Sequence, residues 1–203
     1  MGIATDIIDY VKAAKEIMEH KKRLLIPVCC AIAMFSMFAI ISPTTNAADV
    51  PLKIQAAIFI KILGYDSSIA AMPGNKIVIN VLTDSKTASN KKDISAAFSS
   101  INGAAVSGKK ISIKFITAGG LPGASGVIYL PSGSSKSTVN MAVVHGASKK
   151  VRILAGSRQL AVKGAAVAVS LENSKPKIIV NLKQSKAMGM KLSTQLLKLA
   201  TII

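Results

Sequence analysis

Residues 164–203 read Gly-Ala-Ala-Val-Ala-Val-Ser-Leu-Glu-Asn-Ser-Lys-Pro-Lys-Ile-Ile-Val-Asn-Leu, then Lys-Gln-Ser-Lys-Ala-Met-Gly-Met-Lys-Leu-Ser-Thr-Gln-Leu-Leu-Lys-Leu-Ala-Thr-Ile-Ile. Two runs in this stretch alternate with period two. Val167, Val169 and Leu171 share one side of the first, and Ile178, Val180 and Leu182 one side of the second. The five residues between them hold Asn, Ser and Pro, which reads as a hairpin turn. The period then changes. Leu192, Leu196, Leu199 and Ile203 fall on one face of a helix. A hairpin closed by an apolar-faced helix needs a sheet to pack on, and the preceding chain supplies its strands.

Lys76 to Leu82 is a nearly unbroken apolar, mostly β-branched run, as expected of a central, parallel strand covered on both faces. Further strands are expected at Lys110–Ile116, Gly126–Leu130 and Val151–Leu154. Helices are expected from Leu52 to Gly64, opened by Asp49 as cap and Pro51 in the first turn, and at Asp93–Ile101, Ser134–Ala147 and Ser157–Val162. The first helix is apolar enough to be buried on most sides. Strands alternating with helices define an α/β fold. The expected architecture is a single three-layer domain with a mainly parallel sheet, an antiparallel C-terminal hairpin and a C-terminal helix, over residues 48–203.

Residues 1–47 differ in character. An amphipathic stretch ends in Lys21-Lys22-Arg23, and Leu24 to Ile41 carries no charge. Pro43 and the small residues before Ala47 complete the layout of a secretory signal. The run of 18 residues is long for a signal and short for a spanning helix. Cleavage after Ala47, with or without a translation start at Met18, and an uncleaved inner-membrane anchor through 24–41 both fit. The small-residue pattern favours cleavage. Either way the remainder is exported.

The net charge of the chain is +17, and residues 48–203 carry 21 basic and 5 acidic side chains. Such an excess favours anionic partners. The same region holds one histidine, His145, no cysteine, and the acids Asp49, Asp66, Asp84, Asp93 and Glu172. This inventory argues against an enzyme and offers no metal-ligand spacing. No cofactor is expected. Gly103–Lys110 approaches a phosphate-binding loop, but Lys110 replaces the required hydroxyl and the segment enters a strand instead of a helix. Its expected state is a loop. Gly119-Gly120-Leu121-Pro122-Gly123-Ala124-Ser125-Gly126 follows a strand, where open α/β sheets bind ligands. Gly119, Gly120, Gly123, Ser125 and Gly126 are therefore the candidate ligand or partner loop. Nucleic acid is not an expected partner, because export and the scarcity of stacking aromatics both oppose it.

Gly164-Ala-Ala-Val-Ala-Val, Lys-Pro-Lys-Ile-Ile-Val-Asn-Leu182 and Ala187-Met-Gly-Met-Lys-Leu-Ser-Thr-Gln-Leu-Leu-Lys-Leu-Ala200 resemble the C-terminal signature of the YfiR family, the DUF4154 group. The helix Lys53–Gly64 and the strand Ile77–Leu82 fit the family's order, so the resemblance spans about residues 50–203. It implies a periplasmic, non-catalytic regulator that docks on the extracytoplasmic domain of an inner-membrane diguanylate cyclase or sensor kinase, in cyclic-di-GMP signalling and biofilm control. Many members close the first helix with an aromatic and proline; here the residues are Gly64-Tyr65-Asp66. The cysteines of some members are absent, which removes disulfide-based control. The alternative from charge alone is a basic module that attaches to anionic lipid or polysaccharide in the envelope. A homo-oligomer is compatible with both.

Overall fold

A computed structural model describes residues 49–203 apart from Ser125. The expected signal or anchor helix lies outside the described residues. Among those described, no helix is long and apolar enough to cross a membrane. The main elements are α1 (Leu52–Gly64), β1 (Lys76–Leu82), α2 (Lys91–Ser99), β2 (Ala105–Val106), β3 (Lys109–Ile116) and β4 (Val127–Leu130). They continue with α3 (Lys136–Lys149), β5 (Arg152–Ala155), α4 (Arg158–Val162), β6 (Val167–Glu172), β7 (Lys175–Val180), α5 (Leu182–Ala187), α6 (Thr194–Leu199) and β8 (Thr201–Ile202).

The strands form one sheet in the order β2-β3-β1-β4-β5-β6-β7-β8. β1 lies parallel to both β3 and β4, as its apolar run requires, and β4, β5 and β6 continue parallel. Its neighbours are reached by crossovers through helices, the usual parallel connection. On one face, Tyr129 of β4 meets Phe59 of α1 at 5.5 Å and Phe98 of α2 at 4.8 Å between ring centres. Each such tilted pair contributes about 0.5–1.5 kcal/mol beyond its burial. α3 lies close over β5, so close that a Cβ on Gly146 would stand 2.9 Å from the Val151 carbonyl oxygen. Asn80, 5% exposed on β1, donates its amide to the Val78 and Val127 carbonyls, which satisfies the one polar side chain in that run.

Four local expectations change. Asp49 does not cap α1. Pro51 itself is the N-cap residue, with its carbonyl accepting from Ile54 and Gln55, and Gln55 holds the approach by donating to Val50 O at 2.7 Å. α1 is buried on one face only: Phe59, Ile62 and Leu63 are covered, whereas Ile54 is 44% exposed. Gly103–Lys110 is a tight hairpin. β2 pairs antiparallel with the start of β3, and Ser107 and Gly108 both have positive φ, the geometry of a two-residue turn that matches strand twist. The β6–β7 turn is also only two residues, Asn173 and Ser174, at φ 51° and 59°. Lys175 and Pro176 belong to β7, with Pro176 opposite Leu171.

The tail departs furthest from its helical periodicity. It contains two short helices and ends as a strand. Gly189 (φ 74°) follows α5, Ser193 caps α6 by accepting from Leu196, and Thr201–Ile202 pairs parallel with β7. Of the four residues expected on one helical face, Leu196 is buried and Leu199 is 64% exposed. The break has a cause outside the tail. Asp66, just past α1, forms an isolated bridge with Leu192, and Ser67 N–H donates to Lys191 O. The Asp66 carboxylate accepts from Lys191 N–H at 2.8 Å and from Arg152 Nε at 2.8 Å, with the pair's side chains 0% and 5% exposed. The tail is thus bound in extended form to the α1 turn and to β5.

Removing either partner strands a buried charge, a loss of about 3–5 kcal/mol. Asp66→Ala and Arg152→Ala are each expected to lower urea-unfolding stability by that order. The double variant should lose clearly less than the sum of the two. Additive losses would show that the two side chains act independently.

Candidate functional site

From β1 the chain steps to β3 on one side, then returns past β1 to β4 on the other. The switch point therefore lies at the carboxyl end of β1, where sheets of this kind place ligands. Three loops meet there: 83–90 after β1, 117–126 after β3 and 131–135 after β4.

Asp84 bridges two of them. Its Oδ1 accepts from the backbone N–H groups of Lys86 and Thr87 and from the Thr87 hydroxyl, each at 3.0 Å. Its Oδ2 accepts from Ser135 N–H at 2.8 Å. Ser135 is the N-cap of α3, and its hydroxyl accepts from Thr138 N–H. The positive end of α3 thus faces a carboxylate from this same chain. Burial pushes the Asp84 carboxyl up, but the Ser135 N–H, then the Thr138, Ser135 and Thr87 hydroxyls, outweigh it and hold the group well below the usual carboxylate range. Deeper along β4, burial and then the charge of Asp49 raise the Tyr129 phenol, which donates to Gln55 Oε1 at 2.9 Å. Gly156 passes close by: a Cβ there would lie 3.0 Å from the Tyr129 hydroxyl and 2.9 Å from Ser132 Oγ. The chain's own Asp84, Tyr129 and Gln55 side chains thus converge near the switch point.

Open space lies one strand over. A groove of about 300 Å³ is lined by Thr83, Lys91, Lys114, Phe115, Ile116, Thr117 and Gly120. Lys91 Nζ stands 5.4 Å from the centre of the Phe115 ring, an attraction of about 0.5–1 kcal/mol at an exposed site. Two ammonium groups, two hydroxyls and an apolar floor suit an anionic group attached to an apolar body. No carboxylate, histidine or cysteine lines the groove. Among the described residues, no three His, Cys, Asp or Glu side chains converge as metal ligands would.

The candidate glycine loop divides at Leu121. Gly119 and Gly120 lie in a 3-10 turn, Ala118–Gly120, and Gly120 reaches the groove. Gly123 is exposed. Gly126 is packed against Pro122, where a Cβ would come within 2.9 Å. His145 of α3 holds this second half through a 2.6 Å hydrogen bond between Nε2 and Pro122 O. Ser125 lies outside the described residues. Of the four described residues of the five, Gly120 lines the groove. The reading from sequence missed Asp84, Lys91 and Lys114. A local signal for Asp84 existed in Asp84-Ser-Lys-Thr87, the pattern of a side chain that hydrogen-bonds its own turn.

This is a mainly parallel α/β domain with a ligand-sized groove at the carboxyl edge of its sheet. The chain belongs to the DUF4154 family, YfiR/HmsC-like, whose model matches residues 52–201. No curated protein matches it. Among solved structures, a conserved domain protein from Vibrio cholerae aligns with TM-score 0.53 and 13% identity, over 76% of this chain and 61% of that one. The ABC domain in complex with L-Trp from Streptococcus pneumonia aligns at 0.48 and 14%, over 75% and 60%. The ligand-free, open structure of CD0873, a substrate binding protein with adhesive properties from Clostridium difficile, aligns at 0.48 and 17%, over 67% and 57%. The chain thus spans about three-fifths of the length of these structures, and at such identities the first likeness supports the fold alone.

Asp84 gives a pH-dependent expectation. Its folded pKa is depressed, so its contribution is complete above the unfolded value, about 3.9, and is lost as pH falls through the folded value. Asp84→Ala should lower stability near neutral pH by about 1 kcal/mol, as loss of a helix cap does. In urea unfolding from pH 7 down to pH 2, the wild-type advantage over this variant should persist to about pH 4 and shrink below it. An advantage that is constant down to pH 2 would contradict the assignment.

Proposed function

We propose that this chain is an exported, non-enzymatic regulatory binding protein. Residues 1–47 act as signal or anchor and 48–203 as the folded regulator. It works in the periplasm by docking on the extracytoplasmic domain of a diguanylate cyclase or sensor kinase in the inner membrane, and so adjusts cyclic-di-GMP signalling and biofilm formation. Family membership across residues 52–201 carries this reading. The groove supports it chemically, because its lysines, threonines and apolar residues can hold a partner group.

A second reading, attachment to anionic lipid or polysaccharide, is favoured by charge. Among the described residues, the ion pairs use both arginines, Arg152 with Asp66 and Arg158 with Glu172. The 19 lysines of the same region have no carboxylate of a described residue at ion-pair distance. Non-specific attachment to a charged surface would weaken steeply with salt. A dedicated protein interface would saturate at one-to-one stoichiometry and retain much of its affinity.

The test is affinity capture of the tagged full-length protein from membranes, with deletion of its gene in parallel. The reading expects a cyclase or sensor kinase in the captured material and a change in cyclic-di-GMP content on deletion. Capture of neither class, together with unchanged cyclic-di-GMP and biofilm, would overturn it.

A further inference from the structure

We infer that the outer edge of β3, with the groove at its carboxyl end, is the docking site for an acidic, extended segment of the partner. The inference rests on the regulatory reading above and names the chemistry of its contact. Three observations place it here. First, β3 is an open edge over most of its length. β2 pairs only with Lys109 and Lys110, and beyond the Ile111 hydrogen bonds to Gly103 and Ala104 no strand lies outside β3 among the described residues. A partner strand can add there by main-chain hydrogen bonds.

Second, the edge is cationic and locally unneutralised. Lys110 and Lys114 are exposed and share a face with Ser112, about 13 Å apart along the strand. Lys76 of β1 lies directly opposite Lys110. Like charges so placed repel, and among the described residues no ion pair relieves them. Third, the edge ends in the groove, whose lining includes Thr83, Lys91, Lys114, Phe115 and Thr117, with Lys91 Nζ 5.4 Å from the centre of the Phe115 ring. Carboxylates four residues apart on one side of an extended segment, about 13 Å, match the spacing of Lys110 and Lys114, and one apolar side chain fills the groove.

Lysines also protect bare sheet edges from aggregation. That role needs charge alone, whereas docking needs the groove as well. A membrane surface would use charge without needing the groove. It would draw equally on lysines elsewhere, such as Lys175 and Lys177 on β7, both exposed.

The experiment uses the full chain, in detergent if anchored, as wild type, Lys91→Glu/Lys114→Glu, Lys91→Gln/Lys114→Gln, and Lys175→Glu/Lys177→Glu. Binding is measured to the captured partner's extracytoplasmic domain, to the synthetic peptide acetyl-Glu-Phe-Glu-Leu-Glu-amide and its all-Gln counterpart, and to vesicles containing one-quarter phosphatidylglycerol. Docking at β3 predicts that reversal at 91 and 114 weakens partner and peptide binding by about tenfold or more. The Gln pair should be intermediate, the 175/177 variant near wild type, and the all-Gln peptide weak. Amide shifts induced by the acidic peptide should centre on Thr83, Lys91, Phe115 and Gly120. Undiminished partner binding by the 91/114 reversal would overturn the site while leaving the regulatory reading intact. If no partner is captured and deletion leaves cyclic-di-GMP and biofilm unchanged, the regulatory reading fails and the peptide decides the site: absence of shifts in the groove overturns it. Vesicle binding weakened equally by both reversals, with no peptide shifts, assigns the charge to membrane attachment instead.

Discussion

The fold turns on one buried ion pair. Asp66 and Arg152 meet at 2.8 Å with almost no solvent access, and the Asp66 carboxylate also accepts from Ser68 N–H and Lys191 N–H. Burying two charges is costly unless the geometry is good and the remaining lone pairs are satisfied. Both conditions hold. The pair links three segments far apart in sequence: the turn after α1, the first residue of β5 and the extended link between α5 and α6. It fixes the amino edge of the sheet and determines how the tail runs, because a carboxylate bonded to the Lys191 N–H holds that residue outside a helix.

The carboxyl edge carries a second acid with a different role. Asp84 occupies the place at the α3 N-terminus where an open sheet would receive an anion, and it does so with four hydrogen bonds. An open groove lies on the β1–β3 side, beside a lysine-bearing edge. A groove lined by lysines and threonines matches the contact role proposed for the domain. The few acids in the domain reinforce this division. Asp66 and Asp84 are used up in internal bonding and Glu172 is paired with Arg158, so most of the positive charge faces outward.

The strands were readable because their signal is local. Ile77–Leu82 and the paired runs at 167–171 and 178–180 announce themselves through period and β-branching, and the order of elements followed. The tail was not readable in the same way. Leu192, Leu196 and Leu199 satisfy a helical period, but the period cannot report a hydrogen bond from Lys191 to an aspartate 125 positions earlier. Glycines after a strand suggested the loop 119–126; Gly120 of this loop lines the groove, and His145 bonds to the Pro122 carbonyl in its second half. The groove is assembled by Lys91 and Lys114, two lysines among 19 in the region. Their meeting depends on β1 and β3 being neighbours in the sheet, which spacing alone does not disclose. The family resemblance rests on packing residues of the tail, so it identified the fold without marking the contact surface.

The central claim is that this domain recognises a partner through its open carboxyl edge, from a frame held rigid at the other. Hydrogen–deuterium exchange of the full chain, with and without the partner's extracytoplasmic domain, tests it most directly. The account predicts new protection confined to 83–92 and 112–120, with 66–69 and 188–193 already protected and unchanged. Protection confined to 199–203 or to α1, or no protection anywhere, would contradict it.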